Sequence, residues 1–85
     1  MAQVIHKHLI PLDADVEVPG TPIHVGIQSG EVHVWSLLGN SLEVDGNAPV
    51  LRIYATGQPV PDKATYVGSA MHDSFVWHVF DIRNI

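Results

Sequence analysis

PVLRIYATGQPVPDKATYVGSAMHDSFVWHVF, residues 49–80, reads as three strands and one rigid loop. In residues 50–56, Leu51, Ile53 and Ala55 alternate with Arg52, Tyr54 and Thr56, the two-residue period of a strand. Residues 65–71 and 74–82 form a hairpin around His72-Asp73. In its second arm Phe75, Trp77 and Val79 alternate with Val76, His78 and Phe80, so both faces are apolar. That pattern belongs to a strand covered on both sides. Between the first strand and the hairpin lies Thr56-Gly57-Gln58-Pro59-Val60-Pro61-Asp62. Gly57 admits a positive φ. Pro59 and Pro61 fix their own φ and push Gln58 and Val60 toward extended backbone. Such a loop is ordered before anything binds, which lowers the entropy lost on recognition.

The chain upstream repeats the same grammar. Residues 4–12, VIHKHLIPL, begin as a strand and stop at Pro11, in the manner of an edge strand. Asp13-Ala14-Asp15 is a turn, residues 15–18 a short strand, and Pro19-Gly20-Thr21-Pro22 a further turn. Residues 23–28 alternate cleanly: Ile23, Val25 and Ile27 against His24, Gly26 and Gln28. Ser29-Gly30 suits a tight hairpin turn into residues 31–38, where Val32, Val34, Ser36 and Leu38 oppose His33, Trp35 and Leu37. Residues 39–48, GNSLEVDGNA, are the best candidate for a mobile loop, with a brief strand about Leu42 and Val44. No segment carries a capped 3.6-residue apolar stripe. About seven short strands with regular turns predict an all-β chain: one domain spanning residues 1–85, a small antiparallel sandwich or partly open barrel. Val25, Ile27, Val34, Leu51, Ile53, Trp77 and Val79 are its expected core.

Composition narrows the function. A chain of 85 residues buries only about 60% of its unfolded surface. There is no cysteine, which removes disulfides and thiolate metal sites and suits a reducing compartment. Strands apolar on both faces leave more apolar surface than one small core covers, so a homodimer or higher symmetric oligomer is expected. The net charge is −5, with Lys7, Arg52, Lys63 and Arg83 the cations. Duplex nucleic-acid binding needs a basic surface and is not expected. No apolar run approaches the ~20 residues of a membrane span and no signal-peptide core is evident, so a cytoplasmic protein without membrane contact is expected.

Chemistry is sparse. His6 and His8 lie two apart and share a strand face, a pairing able to chelate one ion if a further ligand joins them. Two face sets, His33-Trp35-Leu37 and Phe75-Trp77-Val79, read either as core or as a stacking wall for a planar ligand. No nucleophile, base and oxyanion-donor set emerges, so binding is expected ahead of catalysis, with no catalytic residue, metal or cofactor assigned. The recurring polar groups are Arg52, Tyr54, Thr56, Gln58, His24, Gln28 and His78, expected to line one pocket with Trp35. Arg52 would clamp a phosphate or carboxylate in a nucleotide-like ligand while Tyr54 or Trp35 stacks on its plane. The plainer alternative for Arg52 is an ion pair with Glu31, Glu43 or Asp81.

Several stretches together carry a resemblance. They are His24-Val25-Gly26-Ile27-Gln28-Ser29-Gly30, Trp35, Ala55-Thr56-Gly57-Gln58-Pro59-Val60-Pro61, Tyr66-Val67-Gly68-Ser69 and Phe75-Val76-Trp77-His78-Val79-Phe80. The chain resembles, over nearly its whole length, a family of short, functionally uncharacterised proteins encoded by bacteriophages and prophages. It departs from that pattern with Ala55 where the family has glycine and Gln58 where it has histidine; the second change counts against a metal role for the loop. The resemblance implies a viral origin and no activity. The expected function is then a small accessory phage protein that binds a host-derived ligand or host protein, to blunt a defence. The alternatives are a structural or assembly component of the phage particle, and a metal-dependent hydrolase built on His6 and His8.

Overall fold

A computed structural model describes residues 2–39 and 48–85. They form seven strands: β1 Val4–Leu9, β2 Val16–Glu17, β3 Thr21–Gln28, β4 Glu31–Leu38, β5 Val50–Ala55, β6 Thr65–His72 and β7 Phe75–Asp81. These build two antiparallel sheets, a three-stranded sheet in the order β1-β4-β3 and a four-stranded sheet in the order β2-β5-β7-β6. The all-β sandwich expected from the two-residue period is therefore the architecture. The brief strand expected about Leu42 and Val44 lies outside the described residues.

Two tight turns set the register. Ser29 and Gly30 both adopt positive φ, 53° and 75°, and join β3 to β4 as a two-residue hairpin. Left-handed residues in both positions match the twist of the flanking strands. The second hairpin turns at Asp73-Ser74, one residue later than the His72-Asp73 expected, because His72 still pairs with Phe75; Asp73 takes φ 53°. Asparagine and aspartate tolerate that region better than most residues.

The core is built from alternate strand positions plus two connections. Val25, Val32 and Val34 of the first sheet meet Leu51, Ile53 and Val79 of the second, and Ile10 and Val18 close the ends. Two expected core residues, Ile27 and Trp77, are only half-buried and pack against its margin. Ile23 departs from its alternation. The register slips between Pro22 and His24, and the bulge turns Ile23 outward, 49% exposed. Pro22 lies within this irregular stretch, where its missing N–H is tolerated.

One long side of the sandwich is closed by glycine. A bulge between Tyr66 and Gly68 brings β6 against β3, where a Cβ on Gly68 would stand 2.7 Å from Val25 Cγ2. Only glycine allows this approach without a shift. At the other side lies β1, an edge strand of the first sheet as the sequence suggests.

β5 and β6 flank β7 and run parallel to each other, so residues 56–64 must carry the chain back along the sheet. The return starts with a turn in which Gln58 N donates to Ala55 O at 3.0 Å and Ala55 N donates to Gln58 Oε1 at 3.0 Å. Gly57 sits there at φ 92°, the positive value expected of it. At the far end of β7, Asp81 is buried, accepts from Val50 N and Arg83 N, and pairs with Arg83 Nε at 2.9 Å.

Candidate functional site

The outer face of the four-stranded sheet gathers half of the residues singled out from sequence. Arg52 and Tyr54 point outward from β5, beside Phe80 and His78 of β7 and Tyr66 and Ser69 of β6. Phe80 meets Tyr54 edge-on, ring centroids 5.6 Å apart, and Tyr66 at 5.5 Å. Next to this aromatic row runs a chain of hydroxyls. Tyr66 Oη lies 2.7 Å from Ser69 Oγ, which lies 2.7 Å from His78 Nδ1; His78 Nε2 lies 2.9 Å from Thr56 Oγ1. A neutral imidazole donates through one nitrogen and accepts through the other, and a hydroxyl can answer either way. Both ring nitrogens are thus satisfied whichever tautomer is present.

Arg52 is likewise engaged. Its Nε and Nη2 donate to the two carboxylate oxygens of Asp15 at 2.7 and 2.8 Å, and Nη1 donates to Tyr54 Oη at 3.3 Å. The ion-pair alternative holds in kind, but the partner is Asp15 rather than Glu31 or Asp81; Glu43 lies outside the described residues. Spacing could not reveal this, since the pair joins residues far apart in sequence. The bond from Arg52 holds the Asp15 carboxyl below its usual range, and Asp15 in turn raises the guanidinium. Tyr54 is only 3% exposed, so its ring offers no stacking platform.

The remaining expected ligand residues do not join this group. His24, Gln28 and Trp35 belong to β3 and β4 of the other sheet. There His24 and His33 flank the Trp35 ring at 5.3 and 6.2 Å, and Trp35 lies over Gly26, where a Cβ would stand 3.3 Å from Cζ3. Lys7 Nζ donates to Gln28 Oε1 at 2.6 Å. Gln58 is spent on its own turn. The single pocket expected from all eight residues is therefore not formed: strand parity sends them outward on two different sheets.

His6 and His8 do share a face, with ring centroids 6.3 Å apart. His8 Nε2 sits 3.1 Å from Ser36 Oγ, a hydroxyl with no exposure. Burial, and then the neighbouring His6, push the His8 imidazole below its ordinary value. Among the described residues no group of three or more metal-ligating side chains is assembled.

A cleft of about 210 Å³ opens at one end of the sandwich. Its floor is the buried Ile10, continued outward by Pro11 and the exposed Leu12, the connection leaving β1. One rim is residues 30–32 at the first hairpin, the other His72 and Asp73 at the second. Phe75 and Trp77 form the wall, stacked with centroids 5.7 Å apart and planes within 20°. Phe75, 61% exposed, stands outside the core, whereas Trp77 packs against the core's margin. Sequence reasoning missed the rest of the cleft. Its floor and rims come from turns and connections that have no period to read.

Glu31 and Asp73 line the cleft, one from each hairpin end. Asp73 Oδ2 lies 3.3 Å from His72 Nε2, and the Glu31 carboxylate has no hydrogen-bonding partner among the described residues. The cleft is thus apolar within and acidic at its mouth.

No curated protein and no solved structure matches the chain. A domain family of unknown function does, over residues 1–84. The chain belongs to that family, DUF7352, across essentially its whole length.

Proposed function

We propose that the protein is a small accessory binding module, of phage or prophage origin, that engages a host protein by taking one of its side chains into the cleft at the open end of the sandwich. The size and lining of the cleft carry this reading. Sites for small molecules run to ~300–1,000 Å³. A volume of about 210 Å³ falls short of a nucleotide and suits one protruding side chain. The stacked wall of Phe75 and Trp77 supplies an apolar anchor point of the kind that dominates protein recognition. The phage origin is supported by the motifs quoted above, from His24-Val25-Gly26 to Phe75-Val76-Trp77-His78. Capture of a host protein in the cytoplasm would serve to blunt a defence.

The test is a selection from a random peptide library, run on wild type and Phe75→Ala together, beside a thermal-shift panel of nucleotides. The expected result is enriched peptides that bind wild type and lose binding to Phe75→Ala, with no nucleotide raising the melting temperature by mass action. Nucleotide stabilisation, or peptide binding indifferent to Phe75→Ala, contradicts the reading.

Self-association, and with it an assembly role, is a second reading. It is favoured by Ile5 and Leu9, 59% and 46% exposed, on edge strand β1. Sedimentation velocity across a concentration series should then give a dimer or larger closed form; a monomer throughout removes this reading.

A further inference from the structure

We infer that the side chain the cleft selects is an arginine, presented by a basic segment of the partner. This inference rests on the cleft-binding reading above and narrows it to one chemistry. Several observations point the same way.

Shape comes first. Phe75 and Trp77 stack on each other, 20° between planes, and Phe75 is 61% exposed, so the pair presents an open aromatic ring held in a fixed orientation. A guanidinium is planar and weakly hydrated, and it stacks on aromatic faces, which an ammonium does less well. Charge comes second. Glu31 and Asp73 stand on opposite rims, contributed by the two hairpin ends, and none of the protein's four Lys and Arg residues lines the cleft. A cation seated between the rims meets Glu31, which has no partner among the described residues, and Asp73, whose nearest partner is His72 at 3.3 Å. The net charge of −5 adds long-range attraction for a basic segment and opposes phosphate or carboxylate ligands. Reach comes third. The floor of Ile10, Pro11 and Leu12 is apolar. An arginine lays its methylenes on such a surface while its head stays at the polar rim. Lysine would satisfy charge without the plane, and leucine or tryptophan would satisfy the floor without the charge.

Gly30 has a part in this. A Cβ there would sit 3.6 Å from His72 Nε2, narrowing the mouth from the first rim.

The experiment uses Trp35→Phe protein, in which Trp77 is the single tryptophan and reports on the cleft by its fluorescence. Trp35 lies outside the cleft, on the outer face of the three-stranded sheet. The probes are blocked glycyl-X-glycine peptides with X arginine, citrulline, lysine, leucine or glutamate. The expected result is saturable change with the arginine peptide, binding at least ~10-fold weaker with citrulline and with lysine, and none with glutamate. Glu31→Gln with Asp73→Asn should weaken the arginine peptide by ~10-fold or more and leave the melting temperature near that of the parent. Raising salt should weaken it too. If leucine binds as well as arginine and Phe75→Ala abolishes both, the arginine inference is overturned and the side-chain cleft stands. If no peptide changes the fluorescence, both are overturned.

Discussion

The outer face of the four-stranded sheet and the open-end cleft are made of the same kinds of side chain, yet they differ in what those side chains are bonded to. Each has aromatic rings, a histidine and a carboxylate. In the outer-face cluster the polar groups already have partners: Arg52 with Asp15, His78 with both Ser69 and Thr56, Tyr66 with Ser69. At the cleft the rings stack only on each other and the rim carboxylate of Glu31 points at no donor among the described residues. The lesson is that residue type does not mark a binding site. A polar cluster whose hydrogen bonds close on themselves stabilises the fold, whereas an apolar hollow with an unanswered carboxylate has something left to offer a ligand.

The contrast can be broken most forcefully at Tyr54. Its ring is buried on the outer face and its hydroxyl accepts from Arg52, so Tyr54→Ala should destabilise by about 3–5 kcal/mol in urea unfolding. A change near zero would mean the outer array is not structural. Gly68→Ala should follow, at about 1–3 kcal/mol, because the new methyl meets Val25 where β6 closes on β3. Ser69→Ala removes the link between Tyr66 and His78 and should lower stability by about 1 kcal/mol without touching peptide binding.

A smaller effect belongs to pH. Burial depresses the His8 imidazole in the folded chain relative to the unfolded value near 6.5. A depressed folded value means the unfolded chain binds the proton more readily, so the contribution is present above the unfolded value and lost as pH falls through the folded one. Stability should therefore decline on acidification below about pH 6.5, and His8→Asn should flatten the decline. Denaturant midpoints at pH 7.5, 6.5 and 5.5 measure it; parallel curves for variant and wild type would assign the decline elsewhere.

How far the sequence revealed all this follows from period and parity. Strand positions were legible wherever apolar residues alternate, as in residues 23–28, 31–38 and 50–56, and the Ser29-Gly30 turn was legible from its chemistry. What parity cannot give is which sheet a strand joins. Residues 23–28 and 50–56 look alike in sequence, yet they fall in different sheets, so His24, Gln28 and Trp35 part company with Arg52, Tyr54 and His78. Bulges were equally hidden, and one of them turned Ile23 off the face it shares in sequence with Val25 and Ile27. Tyr54 reads as outward-facing and is, but its burial depends on neighbours such as Phe80 and Arg52 that alternation alone does not assemble. The cleft was half legible: Phe75 and Trp77 share a strand face open to a core or a stacking reading, while its floor and rims are the meeting of three connections distant in sequence.

The most direct test of the central claim is a two-dimensional amide and indole NMR titration of the wild-type protein with the blocked arginine peptide. The account predicts progressive shifts at the amides of Gly30, Glu31, His72 and Asp73 and at the Trp77 indole N–H, with Tyr54, Ser69 and His78 unmoved. Shifts centred on Arg52, Ser69 and His78, with the cleft silent, would contradict it.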